Sequence, residues 1–373
     1  MHRMSDGVRL LLLALAVCVV LPARHAPAQG KLSAQEEASA RQAIERYVRA
    51  KHGVPRMVKI TVWPLLDSGN VNFYQTTVTL EKDNQRKNYG GFLSRDLRYL
   101  ILGDSYPLGS DPRADIAKRV QELAKLPATA LPEVGEFRPA NVPHLLVTRV
   151  VVEAGSDKQS YDLFLTDDKA LLLVGEIGDV TRDPIAANRR AISLQNSPSE
   201  GPARAPVTIV EFSDLECPSC AAFHEFLVKE LLPKYAGKVR VVFKEYPLAK
   251  IHPWTMTASI ADQCAYRLDP AAYVRFRSLI FRQQNDINPG NVRERVLSLG
   301  EEAGVDRMKL AACVDSKATL PQINKDLEEG QAVGVHSTPT TFINGRMVVG
   351  MLPPNEYYRV VNEALAAATH ASK

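Results

Sequence analysis

Cysteine is scarce in this chain of 373 residues, with five in all. Cys18 lies near the start, and Cys217, Cys220, Cys264 and Cys313 fall in the second half. Such usage excludes a scaffold in which disulfides replace a hydrophobic core. Charge of one sign is also lacking: 46 Lys and Arg oppose 42 Asp and Glu, for a formal net charge of +4. The basic residues gather into no stripe or patch, so nothing marks a nucleic-acid partner. After residue 21 no apolar stretch approaches the roughly 18 residues that would span a bilayer, and a soluble mature chain is expected. What is present is 45% apolar content, enough at this length for two or three cores.

The first 28 residues have a basic start at Arg3 and Arg9, an apolar run from Leu10 to Leu21, and the ending Ala26-Pro27-Ala28. That pattern predicts a secretory signal peptide over 1–28. An uncleaved anchor is the alternative, though the run is shorter than the ~20 residues a spanning helix needs. Leu15-Ala16-Val17-Cys18 only loosely resembles a lipoprotein cleavage box. Cleavage would remove three Arg and one Asp and lower the formal charge from +4 to +2. An exported, periplasmic protein is therefore expected. In an oxidising compartment the four remaining cysteines, an even number, favour two disulfides. A four-thiolate zinc site competes, but such sites usually show two close pairs, and here only one pair is close.

Residues 195–206, rich in Pro, Gly and polar side chains, predict a linker. Before it the chain repeats itself: Phe92-Leu93-Ser94-Arg95-Asp96 and Leu100-Ile101-Leu102-Gly103-Asp104 match Phe164-Leu165-Thr166-Asp167-Asp168 and Leu172-Leu173-Val174-Gly175-Glu176, at an offset of 72 that persists to Asp111-Pro112 and Asp183-Pro184. A duplication is expected, with one α+β unit over 29–126 and another over 127–194. Each reads as strand, turn, strand, then a helix begun by Asp-Pro. In the first, Ser33 and Glu36 form a capping box, after which Ala40, Ile44, Tyr47 and Val48 share a helical face.

Beyond the linker the pattern becomes α/β. Val207 to Ser213 is a continuous β-branched and aromatic run, 217–232 is helix-patterned, and Val239 to Phe243 is apolar again, as suits a parallel sheet. Helical periodicity then holds over 253–334, read as an inserted lobe at about 253–316 and a return helix. Asn344-Gly345 predicts a hairpin between Thr340–Ile343 and Arg346–Val349. A helix from about Pro354 to Ala367 ends the pattern.

The chemistry is concentrated in Cys217-Pro218-Ser219-Cys220, where strand gives way to helix. There the first cysteine meets unpaired N–H groups and the positive end of the helix dipole, both of which favour thiolate. A thiolate is the attacking species in disulfide exchange, and such a setting can lower a cysteine pKa from about 8.5 to between roughly 3.5 and 7.5. Pro218 suits the first turn because it has no N–H to leave unsatisfied. Cys217 is expected to be the exposed nucleophile and Cys220 the buried partner that resolves the mixed disulfide. A purely structural bridge is the bland alternative, but so short a loop constrains the unfolded chain little.

The run Ala205 to Cys220, with Phe243-Lys244-Glu245-Tyr246-Pro247-Leu248, His252-Pro253 and Ser337-Thr338-Pro339-Thr340-Thr341-Phe342-Ile343-Asn344-Gly345, resembles DsbA-like thiol:disulfide oxidoreductases over about residues 201–368. The resemblance implies a thioredoxin fold with an inserted helical lobe over 207–373. It also implies that Pro339 is a cis-proline beside the cysteine pair, preceded by Thr338, whose backbone would pair with an incoming peptide. Glu211, six positions before Cys217, occupies the place of a carboxylate that exchanges protons with the buried cysteine; a solvated or salt-bridged Glu is the alternative. Several relatives carry a second, non-catalytic bridge in the lobe, which suggests a structural disulfide between Cys264 and Cys313; a second redox pair is the rival. Glu216, just before the nucleophile, is a departure expected to oppose the thiolate, and Ser219 replaces a histidine frequent in strong oxidases. Both point to a milder oxidant. His252 is expected to pack or cap.

Asp96 to Asp104 and Asp168 to Asp179 resemble, over a short span, the strand pair of the cystatin-like dimerisation domain of DsbC- and DsbG-type isomerases. A homodimer through this region is one expectation, and pairing of the two copies within one chain is the other. The function implied is exchange of disulfides with cysteine-containing exported proteins, without a cofactor, and with a membrane redox partner to reset the pair. Oxidase and isomerase directions both remain open. A holdase that binds unfolded chains, or a thiol reductase dedicated to one client, are the alternatives.

Overall fold

The structure, a computed structural model, describes residues 32–127, 129–154 and 157–371; the expected signal peptide lies outside them. The chain forms two compact units. The first runs to Tyr47 and resumes over Arg56–Arg182; the second takes Val48–Pro55 and everything from Asp183 onward.

The first unit opens on α1 (Ala34–Lys51), which begins in it. Its capping box forms: the Glu36 N–H donates to the Ser33 hydroxyl at 3.2 Å, and the Ser33 N–H donates to the Glu36 carboxylate at 2.9 Å. Then follow β1 (Lys59–Val62), β2 (Leu66–Asp67), β3 (Phe73–Lys82), β4 (Gln85–Ser94), β5 (Tyr99–Pro107) and α2 (Pro112–Leu123). A second series comprises β6 (Glu133–Val134), β7 (Arg138–Pro139), β8 (Leu145–Ala154), β9 (Asp157–Thr166) and β10 (Leu171–Asp179). They make one sheet in the order β1-β3-β4-β5-β10-β9-β8-β6.

Adding 72 to the limits of β3, β4 and β5 gives those of β8, β9 and β10. The two series meet at the centre, where β5 and β10 run antiparallel with Gly103 opposite Gly175, its counterpart at that offset. The backbones approach so closely there that a Cβ on Gly103 would lie 2.2 Å from the Val174 oxygen, and one on Gly175 would lie 2.3 Å from that of Leu102. Each series therefore has three long strands where the sequence suggested two. β3 mixes polar residues into its length, as in Tyr74-Gln75-Thr76-Thr77, which obscures its period, whereas β8 shows the apolar runs Leu145-Leu146-Val147 and Val150-Val151-Val152 and could have been read as a strand.

The second unit begins with α3 (Pro184–Ala191), capped by Asp183, which accepts from the Ile185 N–H at 2.9 Å. Within residues 195–206, expected to be a linker, β11 (Ser199–Glu200) pairs antiparallel with β13 (Val239–Glu245), whose open edge offers its backbone groups. β12 (Val207–Ser213) runs parallel to β13, and β14 (Thr340–Ile343) and β15 (Arg346–Val349) complete the order β11-β13-β12-β14-β15. β12 is followed by α4 (Pro218–Phe226), a π turn over Leu227–Leu231 and α5 (Leu232–Lys234).

Between β13 and β14 lies the inserted lobe: α6 (Thr255–Leu268), α7 (Tyr273–Arg282), α8 (Val292–Ala303) and α9 (Arg307–Asp315), then the return helix α10 (Leu320–Ala332). α11 (Pro354–Ala371) ends the unit. Asn344 and Gly345 both take positive φ, as a two-residue hairpin turn requires. Both faces of β12 are covered, with Ile209, Glu211 and Phe212 each 0% exposed. A central strand of this kind carries whatever side chain it holds, charged or not, into the core.

Candidate active site

Cys217 is the N-cap of α4, in extended conformation (φ −80°, ψ 120°), and Pro218 begins the helix. The Cys217 carbonyl accepts from the N–H groups of Cys220 at 3.1 Å and Ala221 at 3.2 Å. The amides of Ser219 and Cys220 also act on the sulfur. Both thiols are free; Cys217 is 8% exposed and Cys220 is 0% exposed. The Cys217 thiol is brought down to about 5, chiefly by the Cys220 S–H beside it, then by Thr338 and by the amides of Cys220 and Ser219, against the opposing effect of burial. The Cys220 thiol is pushed well above its ordinary value by burial and by the negative charge on Cys217. The two sulfurs are thus held in different protonation states across one helical turn.

The Thr338–Pro339 peptide bond is cis, and it brings the Thr338 carbonyl within 3.5 Å of the Cys217 sulfur. As a thiol, Cys217 donates to that carbonyl. As a thiolate it can instead accept from the Thr338 hydroxyl, which is buried and has no other partner among the described residues.

Glu211 is fully buried on β12, and neither carboxylate oxygen has a hydrogen-bond partner among the described residues. Burial raises its pKa, while Arg277 acts in the other direction. The solvated alternative for this residue is set aside by that burial.

The Glu216 carboxylate accepts from the Trp254 N–H at 2.8 Å and the Thr255 N–H at 3.0 Å at the start of α6, where the positive end of that helix offsets part of its charge. His252 donates or accepts through Nδ1 at 2.8 Å from Asp214. Asp214 also accepts from Leu248 N, Thr255 Oγ1 and Glu216 N, so this set ties the loop before Cys217 to the start of the lobe.

Cys264 and Cys313 are joined by a disulfide with a Cα separation of 6.0 Å, so the four cysteines do not assemble a thiolate set for zinc. Sequence reasoning missed Gln284, whose side-chain amide donates to the carbonyls of Leu215 at 2.7 Å and Cys217 at 3.2 Å. It also missed Arg277, fully buried and bonded to Glu245 and Asp262. Neither carries a local signal, since an arginine in a helical stretch reads as a solvated face until the fold covers it.

A parallel β12–β13 pair, a helix begun by Cys-X-X-Cys, and a cis-proline leading into an antiparallel hairpin strand define a thioredoxin fold. Residues 193–363 match the family model described as Thioredoxin, and the helices between β13 and β14 are inserted into that fold. Among its relatives is the Na(+)/H(+) antiporter NhaA 3 of Salinispora tropica, 30% identical over 168 residues that make up 45% of this chain and 24% of that protein. Disulfide bond formation protein D of Bacillus subtilis is 24% identical over 178 residues, 46% of this chain and 79% of that protein. The oxidised crystal structure of BdbD from Bacillus subtilis is 23% identical, covers 47% of this chain and 95% of its own, and superimposes with a TM-score of 0.44. The chain spans about a quarter of the length of the first curated relatives it matches. No helix among the described residues is long and apolar enough to cross a membrane.

Proposed function

We propose that the protein is a thiol:disulfide oxidoreductase of the periplasm, or of another exported setting, which exchanges disulfides with cysteine-containing exported proteins through Cys217. The observation that carries the reading is the placement of the two sulfurs: Cys217 stands at the start of α4 with the Thr338 carbonyl 3.5 Å away, and Cys220 is fully buried one turn on, a setting that lowers the first thiol to about 5 and raises the second. Relatives named for disulfide bond formation support the same chemistry.

In the oxidising direction a client thiolate attacks the Cys217 sulfur of the Cys217–Cys220 disulfide. The S–S bond breaks, and Cys220 leaves and takes up a proton, for which Glu211, buried on β12 and acting on the Cys220 sulfur through its charge, is the assigned donor. A second client thiolate attacks the client sulfur of the mixed disulfide, and Cys217 departs as a thiolate. Two electrons pass from client to enzyme. A membrane redox partner then accepts them by the reverse sequence, in which Cys220 loses its proton to Glu211 and closes on Cys217. A stabilised thiolate makes the reduced state comparatively stable and Cys217 a good leaving group, both of which favour oxidation of clients. Thr338 and Pro339 are assigned to the client side, where the Thr338 backbone would meet an extended peptide. Cys264 and Cys313 are assigned a structural role.

For the first unit we propose an internal duplication, with its two series paired across β5 and β10 in the way two chains would pair. Its place is to hold or orient clients, which keeps a holdase contribution within the same protein.

The test is a pair of measurements on the full chain. Alkylation of Cys217 should titrate with a midpoint near 5, and Cys217→Ser should abolish insulin reduction and oxidative refolding. A midpoint near the ~8.5 of a free cysteine overturns the reading. Retention of full aggregation suppression with no redox activity in the parent protein would favour the holdase instead.

A further inference from the structure

Arg277, on α7, is fully buried. Its Nη1 donates to Glu245 at 2.7 Å, to Asp262 on α6 and to the Tyr273 hydroxyl at 3.3 Å. Its guanidinium lies over the Phe243 ring, 5.3 Å from the centroid. In the parallel β12–β13 ladder Phe243 is the partner of Glu211, and Glu245 is the partner of Ser213. Alternate residues of a strand share a face, so Glu211, Ser213, Phe243 and Glu245 all project toward the guanidinium.

Three carboxyl groups, those of Glu211, Glu245 and Asp262, therefore share one cation, and all are 0% exposed. Full ionisation would leave two uncompensated negative charges in the core, a state that burial strongly disfavours. The three must compete for the charge of Arg277. Glu245 and Asp262 hold it by direct hydrogen bonds, whereas Glu211 has no hydrogen-bond partner among the described residues.

We propose that Glu245 and Asp262, by engaging Arg277, set the proton affinity of Glu211 and thereby the pH dependence of the step in which Cys220 closes the disulfide. They act as positioning residues, remote from the client, and they belong to β13 and to the inserted lobe. The groups facing Glu211 are Ser213 on its own strand, Cys220 on α4, Glu245 on β13, Arg277 on α7, Tyr357 on α11 and the cross-strand Thr341 on β14. Arg277 also faces His224 on α4, holding that imidazole neutral together with burial. In the closing step the Cys220 S–H bond breaks, its proton goes to the Glu211 carboxylate, the new Cys217–Cys220 S–S bond forms, and the departing sulfur leaves as a thiolate. An ionised Glu211 is required, so a neighbour that monopolises the cation raises the pH at which closure becomes fast.

This inference rests on Glu211 as the proton acceptor, and two variants keep the readings apart. In stopped-flow closure of a preformed Cys217 mixed disulfide, Glu211→Gln should slow closure at neutral pH; no slowing would remove the acceptor role itself. Glu245→Gln frees Arg277 for Glu211, and the pH midpoint of closure should fall; a fall of one pH unit raises the rate at pH 6 roughly tenfold. Alkylation of Cys217 should titrate as before, which a merely structural disturbance would not ensure. Slowing in Glu211→Gln with an unchanged or higher midpoint in Glu245→Gln overturns the inference alone. Asp262→Asn repeats the reading if Glu245→Gln does not fold. Carboxyl-labelled wild-type protein gives a measurement independent of both: Glu211 and Glu245 should each show both steps of a coupled titration, and independent single-step curves overturn the proposal.

Discussion

The sulfur of Cys217 and the carbonyl oxygen of Thr338 lie 3.5 Å apart, although 121 positions separate the residues in the chain. The same threonine brings its otherwise unpartnered hydroxyl to the thiolate. Thr338→Val removes the hydroxyl and keeps the carbonyl. A hydrogen bond to a charged group contributes about 1.5–3 kcal/mol, so the thiolate population at pH 5 should fall roughly tenfold. Iodoacetamide kinetics across pH 4–8 measure this, and an unmoved midpoint would show that the Cys220 thiol and the amides of α4 hold the charge without the hydroxyl.

The reduced protein should become more stable as pH rises from about 5 toward 9. Cys217 titrates near 5 in the folded state and near 9 when exposed. Between those values the unfolded chain binds a proton that the folded chain does not, so stability rises with pH there. The contribution is fully present above the unfolded value and is lost as pH falls through 5. Urea midpoints of the reduced protein and of Cys217→Ala at pH 5 and pH 8.5 test it; the stability difference between the two proteins should grow as pH rises.

Glu216→Gln should leave the Cys217 titration where it is. The carboxylate serves the N–H groups of Trp254 and Thr255, so the loss should appear as about 0.5–1 kcal/mol of stability from a weakened helix start. A fall in the alkylation midpoint would restore the view that this charge opposes the nucleophile.

Removing the second disulfide by Cys264→Ala with Cys313→Ala opens a loop with a sequence separation of 49. The chain-entropy model puts the cost at roughly 4 kcal/mol. Cys264 shares a buried cluster with Cys217 and Cys220, yet client oxidation at low temperature should survive. Its loss in a folded double variant would place the second pair in the redox cycle.

In the first unit, Gly175→Val should prevent β5 and β10 from pairing, because its Cβ would meet the Leu102 carbonyl at 2.3 Å. Overpacking costs about 1–3 kcal/mol, and a backbone clash belongs at the top of that range. Soluble yield and thermal melting give the readout. With the two series already paired inside one chain, light scattering on the full chain should report a monomer; a dimer would defeat internal pairing as a substitute for a second chain.

The legible parts of this protein were those written in short stretches of sequence. The capping box at Ser33 and Glu36, the Asp-Pro helix starts, the Asn344-Gly345 hairpin and the Cys217–Cys220 motif each specify their conformation through neighbours a few positions away, and each formed. The offset of 72 was legible too, because it needs only comparison of the chain with itself. β3 was not, since polar residues interrupt its apolar positions; β8, with Leu145-Leu146-Val147 and Val150-Val151-Val152, carried a signal that could have found it.

Tertiary structure alone decided where charge ended up. Nothing near Glu216 in the sequence says that it will meet the amides of Trp254 and Thr255, and nothing near Arg277 says that a helix will press it against Phe243 and between two carboxyls. The sequence by itself determined which sulfur stands at a helix start. Its protonation and that of the acids behind it depend on burial and on partners tens of positions away, because electrostatic energy follows distance in space and the dielectric around the group, and neither quantity is written along the chain.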